Sequence, residues 1–117
     1  FLKQGSAAVT RVHLGFITGG TSNFAIADLT WSTLAVALSG TASNISYKLE
    51  DCGGGIYRLS VSGSNSGGAN TAVSGTVVPA GVAGTGTVYA WGAQLTATAF
   101  PVPYVPTTSA TVVRNAD

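Results

Sequence analysis

Apolar and polar positions alternate with a period of two along most of the chain. In residues 10–17, Val12, Leu14 and Phe16 fall on one face while Arg11 and His13 fall on the other, the pattern of a half-buried strand. The run Thr-Gly-Gly-Thr-Ser-Asn at 18–23 supplies glycines for positive φ and short polar side chains for local hydrogen bonds, so it predicts a turn. Residues 23–29 resume as a strand with Phe24 and Ile26 on one face. Residues 31–38 fit a short buried strand or one turn of helix, which periodicity does not separate at this length; we take them as a strand.

Residues 44–50 and 56–62 flank Asp-Cys-Gly-Gly-Gly and predict a hairpin, with Tyr57, Leu59 and Val61 facing the core and Arg58 and Ser60 facing water. A low-complexity loop at 62–70, a strand at 71–78, a glycine-rich loop at 79–86 and a last strand at 87–95 follow, with Tyr89 and Trp91 read as core positions. Pro101, Pro103 and Pro106 then forbid a helix and predict an extended, exposed segment. Strands separated by turn signals, with no helical segment, predict an all-β fold, an antiparallel β-sandwich of jelly-roll type. The sandwich is expected to span residues 1–100 and the proline-containing extended segment residues 101–117. Phe1-Leu2-Lys3 reads as the end of a strand whose beginning is missing.

Composition supports this picture. Only 8% of the 117 residues are charged, there are 16 glycines, and the formal net charge is +1. A helical protein normally clothes its outer faces with Glu, Lys and Arg, whereas strands use Thr and Ser. The five cations are scattered, so the cluster needed to displace counterions from nucleic acid is missing and no nucleic-acid partner is expected. The long uncharged stretch 59–113 is interrupted every few residues by Gly, Ser, Asn, Thr or Pro, so no membrane helix is expected. Cys52, the single cysteine, permits no disulfide within the chain.

Catalytic chemistry finds little to use. Glycoside hydrolysis needs two carboxyl groups roughly 5 to 10 Å apart across a cleft. Among the four acids, Glu50 and Asp51 are consecutive and would point to opposite faces of a strand, which leaves Asp28 with Glu50 as the pair to consider. His13 is the single imidazole, best read as solvated, and no Gly-x-Ser-x-Gly elbow exists. One His and one Cys give no zinc spacing. Glu50 and Asp51 with loop carbonyls are either a weak Ca²⁺ site or a solvated turn, and the second reading is preferred. No enzyme, metal or cofactor is expected.

Several segments resemble the carbohydrate-binding-module-like jelly-roll domains of tail fibres, spikes and other virion appendages of tailed bacteriophages. Phe1-Leu2-Lys3-Gln4-Gly5 resembles that family's Phe-x-Lys-x-Gly strand end, and residues 25–29 its Phe-Asp-Leu strand. Gly54-Gly55-Ile56-Tyr57-Arg58-Leu59-Ser60-Val61 resembles its Gly-x-Gly-Trp-Tyr-Arg-hydrophobic-Ser strand. Trp91-Gly92-Ala93-Gln94-Leu95 and Tyr104-Val105-Pro106-Thr107-Thr108 are similar to its closing Trp-Gly-Ala-Gln-Leu-Glu and Tyr-Ile-Pro-Thr-Thr, the most specific of these signals. The chain departs from the pattern at Ile56, where an aromatic is usual, and at Thr96, where Glu is usual.

The resemblance implies a structural module on the virion surface, extracellular, that packs with other virion proteins or with copies of itself, as a trimer where it forms part of a fibre. It also implies strands preceding Phe1. Host surface polysaccharide is the ligand such a module would take, because an exposed aromatic ring stacks on the apolar face of a pyranose while amides and hydroxyls bind its hydroxyl groups. Trp31, in the turn-like Thr-Trp-Ser-Thr, is the candidate platform if sugar is bound, with Asn65 and Asn70 as loop contacts; a half-buried Trp31 covering the sandwich edge is the preferred reading of that residue. Tyr104 and Pro106 are candidates for a subunit contact, or Tyr104 for a latch against the sandwich. A purely architectural spacer or capsid decoration with no glycan ligand is the other reading.

Overall fold

The computed structural model describes residues 1–65, 70–81 and 84–96, and Tyr104 and Pro106 lie outside them. Eight strands form two four-stranded antiparallel sheets stacked as a β-sandwich, with no helix among the described residues. They are β1 (Leu2–Gln4), β2 (Val9–Thr18), β3 (Thr21–Thr30), β4 (Ala35–Ser39), β5 (Ser43–Asp51), β6 (Ile56–Ser64), β7 (Ala72–Val78) and β8 (Val88–Ala90). One sheet runs β5-β6-β1-β8 and the other β4-β3-β2-β7. Three consecutive strands, β2, β3 and β4, stay in one sheet as a meander, while the β1–β2, β4–β5, β6–β7 and β7–β8 connections each cross from one sheet to the other. This order establishes the sandwich without establishing the jelly-roll arrangement.

Local chemistry fixes the turns. Gly19 and Gly20 close the β2–β3 hairpin as a two-residue loop with φ of +54° and +89°, the positive pair that a type I′ turn requires. Strand β3 therefore starts two residues earlier than the sequence predicts. Between β5 and β6, Asp51 Oδ1 accepts from the Gly53 amide at 2.9 Å and the Cys52 amide donates to the Ile56 carbonyl at 2.8 Å. Residues 31–38 divide: the Leu34 amide donates to the Thr30 carbonyl at 2.8 Å, Leu34 adopts a φ of +57°, and the strand begins only at Ala35.

Side chains facing the second sheet come from the even positions of β2 and the odd positions of β3. Thr10 and Phe16 are buried, as are Ala25, Ala27 and Leu29. Phe24 and Ile26 share a face as predicted, but it is the outer one, where the Phe24 ring stacks on His13 at 5.4 Å. His13 is therefore half-buried rather than fully solvated. On the facing sheet Tyr57 and Leu59 point inward and pack on the buried cluster Leu2, Leu29 and Trp31. The layer between the sheets is narrow at one end, where a Cβ added to Gly63 would stand 2.9 Å from the Ala25 methyl. Small residues here set the distance between the sheets. Strand β7 is left uncovered: Val73 and Val77 have the inward parity but are 41% and 37% exposed.

One buried hydroxyl ties the open end of the sandwich together. Thr10 Oγ1, fully shielded from solvent, accepts from the Trp31 indole Nε1–H at 2.9 Å and donates to the Pro79 carbonyl at 2.9 Å. Thr10→Val removes the acceptor of one buried group and the donor to another, an effect of about 2–3 kcal/mol. We expect the urea midpoint to fall accordingly, with Thr10→Ser, which keeps the hydroxyl, retaining most of the parent stability. Ala25→Leu or Gly63→Val should destabilise by about 1–3 kcal/mol through overpacking, measured in the same urea titration.

Candidate functional site

The site is built by the pairing of β1 with β8. Leu2 is 3% exposed and points into the sandwich opposite Ala90. Because side chains alternate along a strand, burying Leu2 turns Phe1 and Lys3 to the outer face. Lys3 lies opposite Tyr89 in register, and Phe1 lies opposite Trp91: the Phe1 amino group donates to the Trp91 carbonyl at 2.8 Å and the Trp91 amide donates to the Phe1 carbonyl at 3.1 Å. The two rings of that pair stack, with centroids 6.1 Å apart and planes inclined by 15°.

This pairing makes an aromatic strip on the outer face of the β5-β6-β1-β8 sheet. Tyr89 is 63% and Trp91 45% exposed, so the core positions expected for both are corrected. The physical reason is parity: Val88 and Ala90 share the inward face with Leu2, and the odd residues of β8 must then point out. On the other side of β1, Ile56 stands beside Lys3, and Arg58 follows two residues along on the same face. The Phe1 amino group has its pKa lowered, first by burial and then by the positive charge of Arg58.

The cations beside the strip on β5 and β6 are neutralised. Glu50, opposite Arg58 in register, receives Lys48 Nζ at 3.3 Å and Arg58 Nη1 at 3.7 Å. Next to the strip, at the end of the sandwich, lies an open cleft of about 340 Å³ lined by Lys3, Gln4, Trp31, Ser32, Thr33 and Tyr57 among others. A second depression of about 330 Å³ sits over Arg11 and Asp28. There Arg11 is closed on Asp28 by two bonds of 2.8 and 2.9 Å, and that hydrogen bonding raises the arginine pKa above its ordinary value. Its charges are spent on each other.

The structure separates the residues expected to bind sugar. Trp31 is 6% exposed, its ring lies edge-on to Tyr57 and its Nε1–H is bonded to Thr10, so it takes the place of a packed residue closing the sandwich instead of the candidate exposed platform; one edge of it lines the cleft. Asn65 and Asn70 lie at the Thr18 end of β2, eight residues from Thr10 and therefore about 27 Å along the strand from Trp31. Asn65 Nδ2 donates to Asn70 Oδ1 at 2.7 Å and to Thr18 Oγ1 at 2.9 Å, while its Oδ1 accepts from Asn23 at 3.2 Å. These amides fasten the hairpin tip to the loop rather than presenting themselves to a ligand.

Asp28 and Glu50 sit on the outer faces of different sheets, so no cleft lies between them. Glu50 and Asp51 point to opposite faces of β5, as alternation requires, and do not converge on a cation. Among the described residues no three of His, Cys, Asp and Glu come together, and no helix is long and apolar enough to cross a membrane. Cys52 is an exposed free thiol in the hairpin turn. No protein-family model, curated protein or solved structure matches the chain.

An aromatic strip flanked by hydrogen-bonding groups presents a flat apolar surface with polar edges, suited to an amphipathic ligand of low curvature. The two tryptophans should differ sharply in solution. In the Trp31→Phe variant the remaining indole fluorescence should be quenched efficiently by acrylamide, and in Trp91→Phe the remaining signal should be largely protected; equal quenching would contradict the assigned burial.

Proposed function

We propose that the chain is a carbohydrate-binding β-sandwich module of a bacteriophage virion appendage, non-enzymatic, which holds a host surface polysaccharide on the outer strip of Phe1, Tyr89 and Trp91. The observation that carries this reading is the exposure of Tyr89, on β8, and of Trp91, the residue directly after β8 and stacked on Phe1. Exposed rings on one outer face offer an apolar surface along which an extended saccharide can lie. The Trp91-Gly92-Ala93-Gln94-Leu95 segment that resembles the phage family supplies one of these rings. The location on a virion and the absence of catalysis rest on that resemblance and on the lack of a paired-carboxylate cleft among the described residues.

An architectural role is the second reading, and the observation favouring it is the uncovered inward face of β7 at Val73 and Val77, where another chain would bury apolar surface. The two separate experimentally. Purified full-length protein is expected to bind one or more bacterial capsular or lipopolysaccharide glycans on an array, and Trp91→Ala or Tyr89→Ala should weaken that binding about tenfold or more with the circular dichroism spectrum unchanged. Retention of full binding by both variants would reject the strip as the site. Failure of the folded protein to bind any glycan, together with concentration-dependent self-association lost in a Val73→Asp variant, would favour the architectural role.

A further inference from the structure

We propose that the polysaccharide is acidic, and that Lys3, standing where the aromatic strip meets the cleft at the end of the sandwich, pairs with its carboxylates. This rests on the carbohydrate-binding reading above and adds the chemical class of the ligand.

The argument begins from charge pairing. Arg11 is held by Asp28 at 2.8 Å, Lys48 by Glu50 at 3.3 Å and Arg58 by the same Glu50 at 3.7 Å. Lys3 is the one side-chain cation among the described residues with no carboxylate partner. No acid on the strip competes for it. Asp28 lies on the other sheet and is closed on Arg11, Glu50 is engaged from two sides, and Asp51 accepts from the Gly53 amide of its own turn at 2.9 Å.

Position supplies the second half. Lys3 is opposite Tyr89 on one side and Ile56 on the other, so its stem runs between apolar neighbours on a sheet face and its ammonium projects from an otherwise apolar row. Its Cε is the nearest atom to the space above Gly55, at the mouth of the cleft. Within the cleft the exposed Ser32 makes no hydrogen bond within the described chain, and Gln4 uses its Nε2 on the Ala7 carbonyl at 3.1 Å, leaving its carbonyl oxygen as an acceptor. A chain lying along Trp91 and Tyr89 thus meets a cation and then hydrogen-bonding groups for its hydroxyls. A neutral polymer would leave the ammonium partly desolvated beside the rings with nothing to offset that cost; a uronate or sialate unit pairs with it.

The test uses the full chain against polygalacturonate, hyaluronate and polysialate, each beside its methyl ester, and against dextran, by affinity electrophoresis and calorimetry. Binding is expected to at least one acid, weakened about five- to tenfold by esterification and similarly by Lys3→Gln, with Lys3→Arg close to the parent. Raising sodium chloride from about 50 to 500 mM should weaken binding of the parent more than of Lys3→Gln. Equal affinity for acid and ester, equal affinity of parent and Lys3→Gln for the acid, or binding to dextran alone would overturn the acidic assignment while leaving the carbohydrate-binding reading intact. A folded protein that binds none of these polymers and no glycan on the array, or one whose Trp91→Ala variant loses self-association instead of glycan binding, would overturn both.

Discussion

The Thr10 hydroxyl is the interaction on which the arrangement depends. An indole N–H inside a sandwich must find an acceptor, and the strand next to it offers one at 2.9 Å that is itself directed to the Pro79 carbonyl. That chain of two bonds joins the end of β3, the start of β2 and the loop after β7. It also points the Trp31 ring inward, against Leu2 and Leu29, with Tyr57 edge-on at 6.0 Å. Once Leu2 is part of that cluster, the parity of β1 is fixed, and with it the outward direction of Phe1, Lys3, Tyr89 and Trp91. A buried contact at one end of the sandwich thereby determines the chemistry of its outer surface.

A thin core is the second consequence. Ala25, Ala27 and Gly63 lie between the sheets where a larger sandwich would carry branched side chains, and the sheets approach accordingly. Little room remains inside for further rings. Phe24 is found outside on His13, Tyr89 outside on β8 and Trp91 outside just after it. Apolar surface left on the outer faces costs about 25 cal/mol for each Å² not buried, which gives a physical incentive for a ligand or another chain to cover it.

Polar groups on the surface are mostly occupied with one another. Arg11 with Asp28, Lys48 and Arg58 with Glu50, and the four-residue network of Thr18, Asn23, Asn65 and Asn70 each close a site that a ligand would otherwise enter. The hairpin tip gains order from its amides and loses them as contacts. In a chain with so few charges, the side chains left without partners carry more information than the paired ones.

Period-two alternation and turn chemistry in the sequence were enough to determine the all-β class and the sandwich, the β2–β3 turn at Gly19 and Gly20, the β5–β6 hairpin around the glycine run, and the inward direction of Tyr57 and Leu59. Those features are local: each follows from neighbours within a few residues. The sequence also showed that Tyr89 and Trp91 share a face, yet in Val88-Tyr89-Ala90-Trp91 neither face carries a charge, so alternation there does not say which is buried. Only the pairing of β1 with β8, residues nearly ninety positions apart, decided that theirs is the outer one. The same holds for Trp31, whose burial depends on Thr10 twenty-one residues away, and for Asn65 and Asn70, which meet Thr18 and Asn23 through the crossing of distant strands. Burial and hydrogen-bond partnership are properties of long-range packing, so the residue types that matter for the site were visible in the sequence while their exposure was settled by the tertiary structure.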